Sequence, residues 1–210
     1  MLPLGTGNGF ARTLGLPLDL EGAVDTIVNG QVVTIDLGVA DGDYFANIVS
    51  IGFNAFVVHN TPNSLKRFLG VFSYVIQGIK EIFRNRPFVC DLICDGENIE
   101  LSTRQIIIAN GAFYGVSKIS DNARVDNGEL IVCALDSVKK WDIIRFWFAL
   151  MRGQLPQHES VRMFFASEVT CHANPAKPVD VDGELTLKTP ITVSLARKAL
   201  HVMAPTNFHE

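Results

Sequence analysis

Apolar positions along the chain change period near residue 30. Between Leu20 and Val28 they recur at helical spacing and stop at Asn29-Gly30, which predicts a short helix and its end. From Gln31 the pattern alternates: QVVTIDLGVA, a turn at Asp41-Gly42-Asp43, then YFANIVSIG, which together predict a β-hairpin. A helical stripe follows from Ser64 to Phe83, with Leu65, Phe68, Leu69, Phe72, Val75, Ile76, Ile79, Ile82 and Phe83 on one face and Asn63 or Ser64 as cap. Strands are expected at Pro87 to Cys94 and Ile99 to Asn110, joined at Asp95-Gly96, and at Glu129 to Leu135 after a long polar loop from Gly111 to Gly128. A second helix runs from about Ser137 to Arg152. Further strands are expected at Val161 to Phe165, Glu168 to His172, Val179 to Leu187, Ile191 to Leu195 and Ala199 to Met203. The expected fold is mainly β, a β-sandwich with two inserted helices, preceded by a short α/β piece that ends near Gly30.

Composition narrows the choice of function. With 210 residues and 48% hydrophobic content the chain can bury a substantial core. Its 18 basic and 22 acidic residues sum to a charge of −4, which argues against a nucleic-acid partner. Cys90, Cys94, Cys133 and Cys171 lie in apolar runs without a C-x-x-C pair, as free buried thiols in a reducing compartment would. No uncharged apolar run is long enough to span a bilayer, so any membrane contact would be peripheral. The five histidines are scattered without ligand spacing.

Three stretches carry candidate chemistry. Met1 to Arg12 reads MLPLGTGNGFAR, a glycine-rich loop running into a helix, an arrangement that can aim backbone N–H groups at a phosphate and that also serves as a plain turn. Val179-Asp180-Val181-Asp182-Gly183-Glu184 alternates acids with valines. As a continuous strand it would line three carboxylates on one face, able to take a proton from a hydroxyl; as a hairpin it would be an acidic Asp-Gly turn, like Asp95-Gly96-Glu97 earlier in the chain. The second helix mixes Trp141, Phe146, Trp147 and Phe148 with Lys139, Lys140, Arg145 and Arg152. That mix suits either a core helix or a bilayer interface.

Five segments in order, PLGTGNGFAR at the start, ANIVSIGFNA at 46 to 55, LKRFLGVFSY at 65 to 74, DNARVDNGEL at 121 to 130 and VDGE at 181 to 184, resemble the bacterial diacylglycerol-kinase-like lipid kinases, relatives of sphingosine and ceramide kinases. The resemblance spans nearly the whole chain. It implies an ATP-dependent lipid kinase of two domains, the first like phosphofructokinase and NAD kinase and carrying a G-G-D-G-T nucleotide loop. Residues 1–30 then correspond to the end of that nucleotide-binding domain and residues 31–210 to a β-sandwich domain. No G-G-D-G-T occurs in these 210 residues, so the chain reads as the C-terminal portion, expected to be inactive alone.

By the family pattern Thr6 approaches the nucleotide, Asp182 is the proton acceptor and Glu184 its acidic neighbour. Gly9 stands where the family usually has aspartate. A structural magnesium site would map onto Arg124, Asn127 and Glu129, with Asn127 in place of the usual aspartate; magnesium prefers hard anionic oxygen, so the amide should weaken it. The resemblance implies ATP and Mg2+ as cofactors, a cytoplasmic protein peripheral to the inner face of the membrane, and a lipid hydroxyl as phosphate acceptor; a homodimer is compatible with it. A non-catalytic lipid-binding module and a kinase of a soluble small molecule are the alternatives.

Overall fold

The computed structural model describes residues 1–5, 7–52, 86–114, 117–120, 123–152 and 160–208. Two helices open the chain, α1 (Gly9–Thr13) and α2 (Leu20–Asn29). The Asp19 carboxylate caps α2 by accepting the Gly22 N–H at 2.8 Å. Among the described residues fourteen strands follow: β1 (Gln31–Ala40), β2 (Asp43–Phe45), β3 (Ile48–Gly52), β4 (Phe88–Cys94), β5 (Glu97–Thr103), β6 (Gln105–Ala109), β7 (Phe113–Tyr114), β8 (Ser117–Lys118), β9 (Leu130–Leu135), β10 (Val161–Ala166), β11 (Glu168–Asn174), β12 (Pro178–Val181), β13 (Glu184–Lys188) and β14 (Ile191–Ala204). Helix α3 (Lys140–Met151) lies between β9 and β10 in sequence. The expected helix from Ser64 to Phe83 falls outside the described residues.

The strands form two six-stranded antiparallel sheets, β2-β1-β14-β11-β4-β5 and β10-β9-β6-β3-β12-β13, with β7 and β8 as a separate small hairpin. Alternation decides what each sheet buries. Cys90, Leu92, Val49, Ile51, Ile106, Ile108, Val132 and Val179 turn into the core between the sheets. The odd partners on the second sheet, Ile48, Ile107, Ile131 and Cys133, turn outward under Ile143 and Phe146 of α3. Buried on both faces, the inner strands β6 and β9 of this second sheet read as unbroken apolar runs, residues 106–109 and Leu130–Leu135, every residue of which is buried.

The structure corrects several element boundaries, and one cause recurs. The expected strand from Tyr44 to Gly52 is two strands, β2 in the first sheet and β3 in the second, with the crossing at Ala46-Asn47. The expected strand from Ile99 to Asn110 likewise changes sheet at Arg104. Strand resumes within a few residues at both crossings, so a strand pattern runs across the break even where burial changes from the alternation of β5 to the fully buried β6. Val179 to Leu187 is a hairpin rather than one strand, and the two strands expected at 191–203 are one long β14 with a bulge. All four cysteines are buried and free, with the Cys90 and Cys171 sulfurs 3.1 Å apart.

Candidate active site

The turns that join β1 to β2, β4 to β5 and β12 to β13 are built alike. Asp41, Asp95 and Asp182 adopt φ of 48°, 47° and 48°, each followed by a glycine with φ of 90° to 99°. Positive φ at both central residues is the two-residue hairpin turn whose twist matches the strands, and Asp-Gly supplies it with least strain. In each case the aspartate carboxylate reaches out of its own hairpin to a neighbouring backbone. Asp41 accepts the Thr192 N–H at 3.0 Å. Asp95 accepts the Ser167 N–H, the Glu168 N–H and the Ser167 hydroxyl, bonds that hold its carboxyl below the ordinary aspartate value. Asp182 accepts N–H bonds from Ala46 (2.7 Å), Asn47 (3.1 Å) and Ile48 (2.8 Å), and its own N–H donates to the Ile48 carbonyl at 2.9 Å.

These contacts give Asp182 a definite task. The segment it holds is the crossing where the chain passes between sheets and has no ladder partners of its own, so the carboxylate replaces the hydrogen bonds a strand would have made. Three bonds occupy most of the roughly four acceptor positions of a carboxylate. The hairpin turn at Asp182-Gly183 also ends the alternation that would have put Asp180, Asp182 and Glu184 on one face. Asp180 is left alone on the outer face of β12, opposite Ser50. Glu184 opens β13, exposed, across from Val181.

Asp180 is 2% exposed. Its Oδ1 accepts the Gly183 N–H at 3.1 Å, and its Oδ2 has no partner among the described residues. Desolvation raises its pKa first, the Gly183 bond partly opposes this, and the charges of Asp182 and Glu184 raise it further. It lines a cleft of about 330 Å³ whose other walls include Asn8, Gly9 and Phe10 from the glycine-rich segment, Asn47 and Ile48 from the crossing, and Tyr114. The Oδ1 of Asn47 is the other buried side-chain oxygen without a partner among the described residues. An unmet buried acceptor costs about 1–3 kcal/mol, and the two residues that carry these oxygens both line the cleft.

Across the cleft, Asn8 (φ 50°) folds the glycine-rich loop on itself: its Oδ1 accepts the Gly5 N–H at 2.8 Å and its Nδ2 donates to the Pro3 carbonyl at 3.1 Å. Thr6, expected to approach the nucleotide, lies outside the described residues.

Arg124, Asn127 and Glu129 are brought onto one loop, and their donor set does not fit a magnesium ion. The Asn127 amide is closed on Glu129, donating to its carboxylate at 3.2 Å and accepting its N–H at 3.2 Å. Arg124 pairs with Asp126 at 3.1 Å. The guanidinium of Arg197 packs on Gly128 so closely that a Cβ there would lie 1.9 Å from its Nη2, and that nitrogen donates to the Asn127 carbonyl at 3.5 Å. A fixed cation thus already faces the loop carbonyl, and the one anionic ligand type the site needs has become an amide. The melting temperature should therefore be the same in magnesium as in EDTA. A rise of several degrees on adding magnesium would show preferential ion binding to the folded chain and return the loop to a metal role.

The loop is held instead by Asp36, 3% exposed in the middle of β1. Its Oδ2 accepts the Gly128 N–H at 2.9 Å and its Oδ1 the Lys198 N–H at 2.7 Å, where β1 and β14 slip register. A lone acid inside the apolar run QVVTIDLGVA was the only sequence sign of this. Nothing in the local pattern marked Asn47 or Arg197.

Residues 47–204 match the family described as the YegS C-terminal NAD kinase beta sandwich-like domain, and residues 1–40 match the diacylglycerol kinase catalytic domain. Among similar proteins, a diacylglycerol kinase of Bacillus subtilis (strain 168) is 26% identical over 207 residues, covering 98% of this chain and 68% of its own length. One of Staphylococcus carnosus (strain TM300) is 26% identical over 206 residues, covering 98% and 67%. A solved chain from Bacillus anthracis str. Sterne superposes with a TM-score of 0.79 at 24% identity, over 97% of this chain and 67% of the other. A second, named a diacylglycerol kinase from the same strain, gives 0.69 at 18%, over 97% and 65%. These two likenesses show the fold.

Proposed function

Because the chain belongs to the family of the YegS C-terminal NAD kinase beta sandwich-like domain, and its first forty residues match a diacylglycerol kinase catalytic domain, we propose that it forms part of a lipid kinase that transfers the γ-phosphate of ATP to a lipid hydroxyl. The observation that carries this reading is that Asp180 and Asn47, each with an unmet buried acceptor, both line a cleft walled on its far side by the glycine-rich segment. An alcohol supplies the donor that these oxygens lack. The hydroxyl oxygen attacks the γ-phosphorus, the bond to the ADP oxygen breaks, and the hydroxyl proton leaves late, as the new P–O bond acidifies it. Such a proton needs a nearby acceptor of moderate basicity, and a carboxylate with a raised pKa is better matched to that task than an ordinary one.

In this reading Asp180 takes the proton and Glu184 raises its basicity. Asp182 acts by position: its three bonds fix the crossing that carries Asn47 into the cleft. Magnesium arrives with the nucleotide rather than at the 124–129 loop, and Thr6 contacts the nucleotide. The test is to incubate the full-length protein with labelled ATP and magnesium against a panel of lipid alcohols in mixed micelles. Label is expected in the diacylglycerol lane or that of a related lipid. Label transferred only to a soluble acceptor, or lipid retained with no transfer at all, would replace this reading with a soluble-substrate kinase or a lipid-binding module respectively.

A further inference from the structure

Helix α3 has two unlike faces. Ile143 and Phe146 are buried against the outer side of the second sheet. On the opposite side, at the i, i+4, i+7, i+11 spacing of a single stripe, stand Trp141, Arg145, Phe148 and Arg152. Trp141 is 72% exposed and Phe148 52%, large apolar side chains that the fold leaves in water. Val138, just before the helix, is a third at 47%.

The charge around this stripe is one-sided. Between Ser137 and Arg152 there are four basic residues, Lys139, Lys140, Arg145 and Arg152, all exposed, and one acid, Asp142, which is buried and accepts from the Ser137 hydroxyl. Arg145 lies 3.6 Å from Asp142 yet its side chain is 73% exposed. The chain as a whole carries −4, so this basic face is a local feature. Aromatic side chains ringed by lysine and arginine match the interface of an anionic bilayer, where the rings enter at headgroup depth and the basic heads meet lipid phosphate. A protein partner would need a complementary groove with acids at its rim; a bilayer needs only the apolar stripe and the positive charge, and both are present.

We infer that the outward face of α3, through Trp141, Phe148 and the basic residues beside them, docks the protein on anionic membrane surface. The inference deepens the lipid-kinase reading, because a lipid alcohol has to be reached from its bilayer. Tyr114 connects the two regions: it packs on the apolar cluster beneath α3 and also lines the cleft.

The experiment is vesicle co-sedimentation of the full-length protein without nucleotide, using phosphatidylglycerol-containing vesicles beside pure phosphatidylcholine ones. Binding is expected to the anionic vesicles and to fall with added salt. The double variants Trp141→Ala/Phe148→Ala and Lys139→Glu/Arg152→Glu should each weaken it about tenfold or more, with melting temperatures little changed because these side chains are exposed. Wild-type affinity in both variants would overturn the inference, as would a wild-type dimer that these substitutions convert to monomer, since the face would then belong to a second copy. Activity on lipid alcohols in micelles is read separately. A protein that phosphorylates micellar lipid yet ignores vesicles loses the docking face and keeps the reaction; one that binds vesicles through α3 but transfers no phosphate does the reverse.

Discussion

Asp180→Asn in the full-length protein should lower turnover at least about 100-fold, the lower end of what a general base contributes, while leaving nucleotide affinity unchanged. The same substitution should raise the melting temperature at neutral pH. Burial holds the Asp180 pKa above its unfolded value of about 3.9, so folding favours the protonated acid. The stability this contributes is present in acid and is lost as pH rises through the folded pKa. Asparagine keeps the shape and removes the ionisation, so the variant's stability should no longer decline through that range, the same range in which wild-type turnover rises. The charges of Asp182 and Glu184 on the same hairpin push the Asp180 pKa up further.

Asp182→Asn should behave differently. Turnover falls here too, because Asn47 is released from the cleft wall, but the melting temperature falls with it: the amide offers one oxygen where three N–H groups need acceptors, and its NH2 points donor at donor. Lower turnover with higher stability in one variant and with lower stability in the other separates a proton acceptor from a positioning residue. If Asp180→Asn kept most of its activity, or both variants lost stability alike, Asp180 would be a structural acid.

Asp36→Ala is expected to be the most damaging single substitution for the fold, costing about 3 kcal/mol. It strips the acceptor from two N–H groups, those of Gly128 and Lys198, at a buried site, and Lys198 sits there at φ 52° only because the bulge is tied. For a domain of this size that corresponds to a fall in melting temperature of roughly 6–12 °C, read by thermal circular dichroism. Asp36→Asn, which keeps one acceptor, should lose about half as much. A loss below about 1 kcal/mol in the alanine variant would mean that water reaches these groups and that the Arg197 contact suffices to hold the loop.

What could be read from residues alone was whatever depends on neighbours in sequence. The helix from Leu20 and the strand from Gln31 to Ala40 announce themselves because a helical stripe and an alternation are local patterns. The mainly β class followed from many short strands at regular spacing, and the Asp-Gly pairs at 41 and 95 marked turns because positive φ favours those residues wherever the chain goes, whereas the pair at 182 was equally compatible with a continuous strand. The lipid-kinase resemblance rested on order along the chain, which is also local information.

The tertiary structure decided everything that depends on which strand lies beside which. Two stretches, 44–52 and 97–109, each divide between sheets; in the second the pattern changes from the half-exposed ENIELST to the buried QIIIA, but which sheet each half joins is set by its neighbours in space. The acids at 180, 182 and 184 look equivalent in sequence. Packing separates them: the turn at Asp182-Gly183 sends one carboxylate to the backbone of a crossing about 135 residues away, leaves the next in solvent, and buries the third with an oxygen unmatched. Long-range hydrogen bonding and desolvation made that distinction, and neither is a property of a six-residue segment. Asp95, with the same turn in the same tripeptide, was given no cleft, only a neighbouring loop to hold.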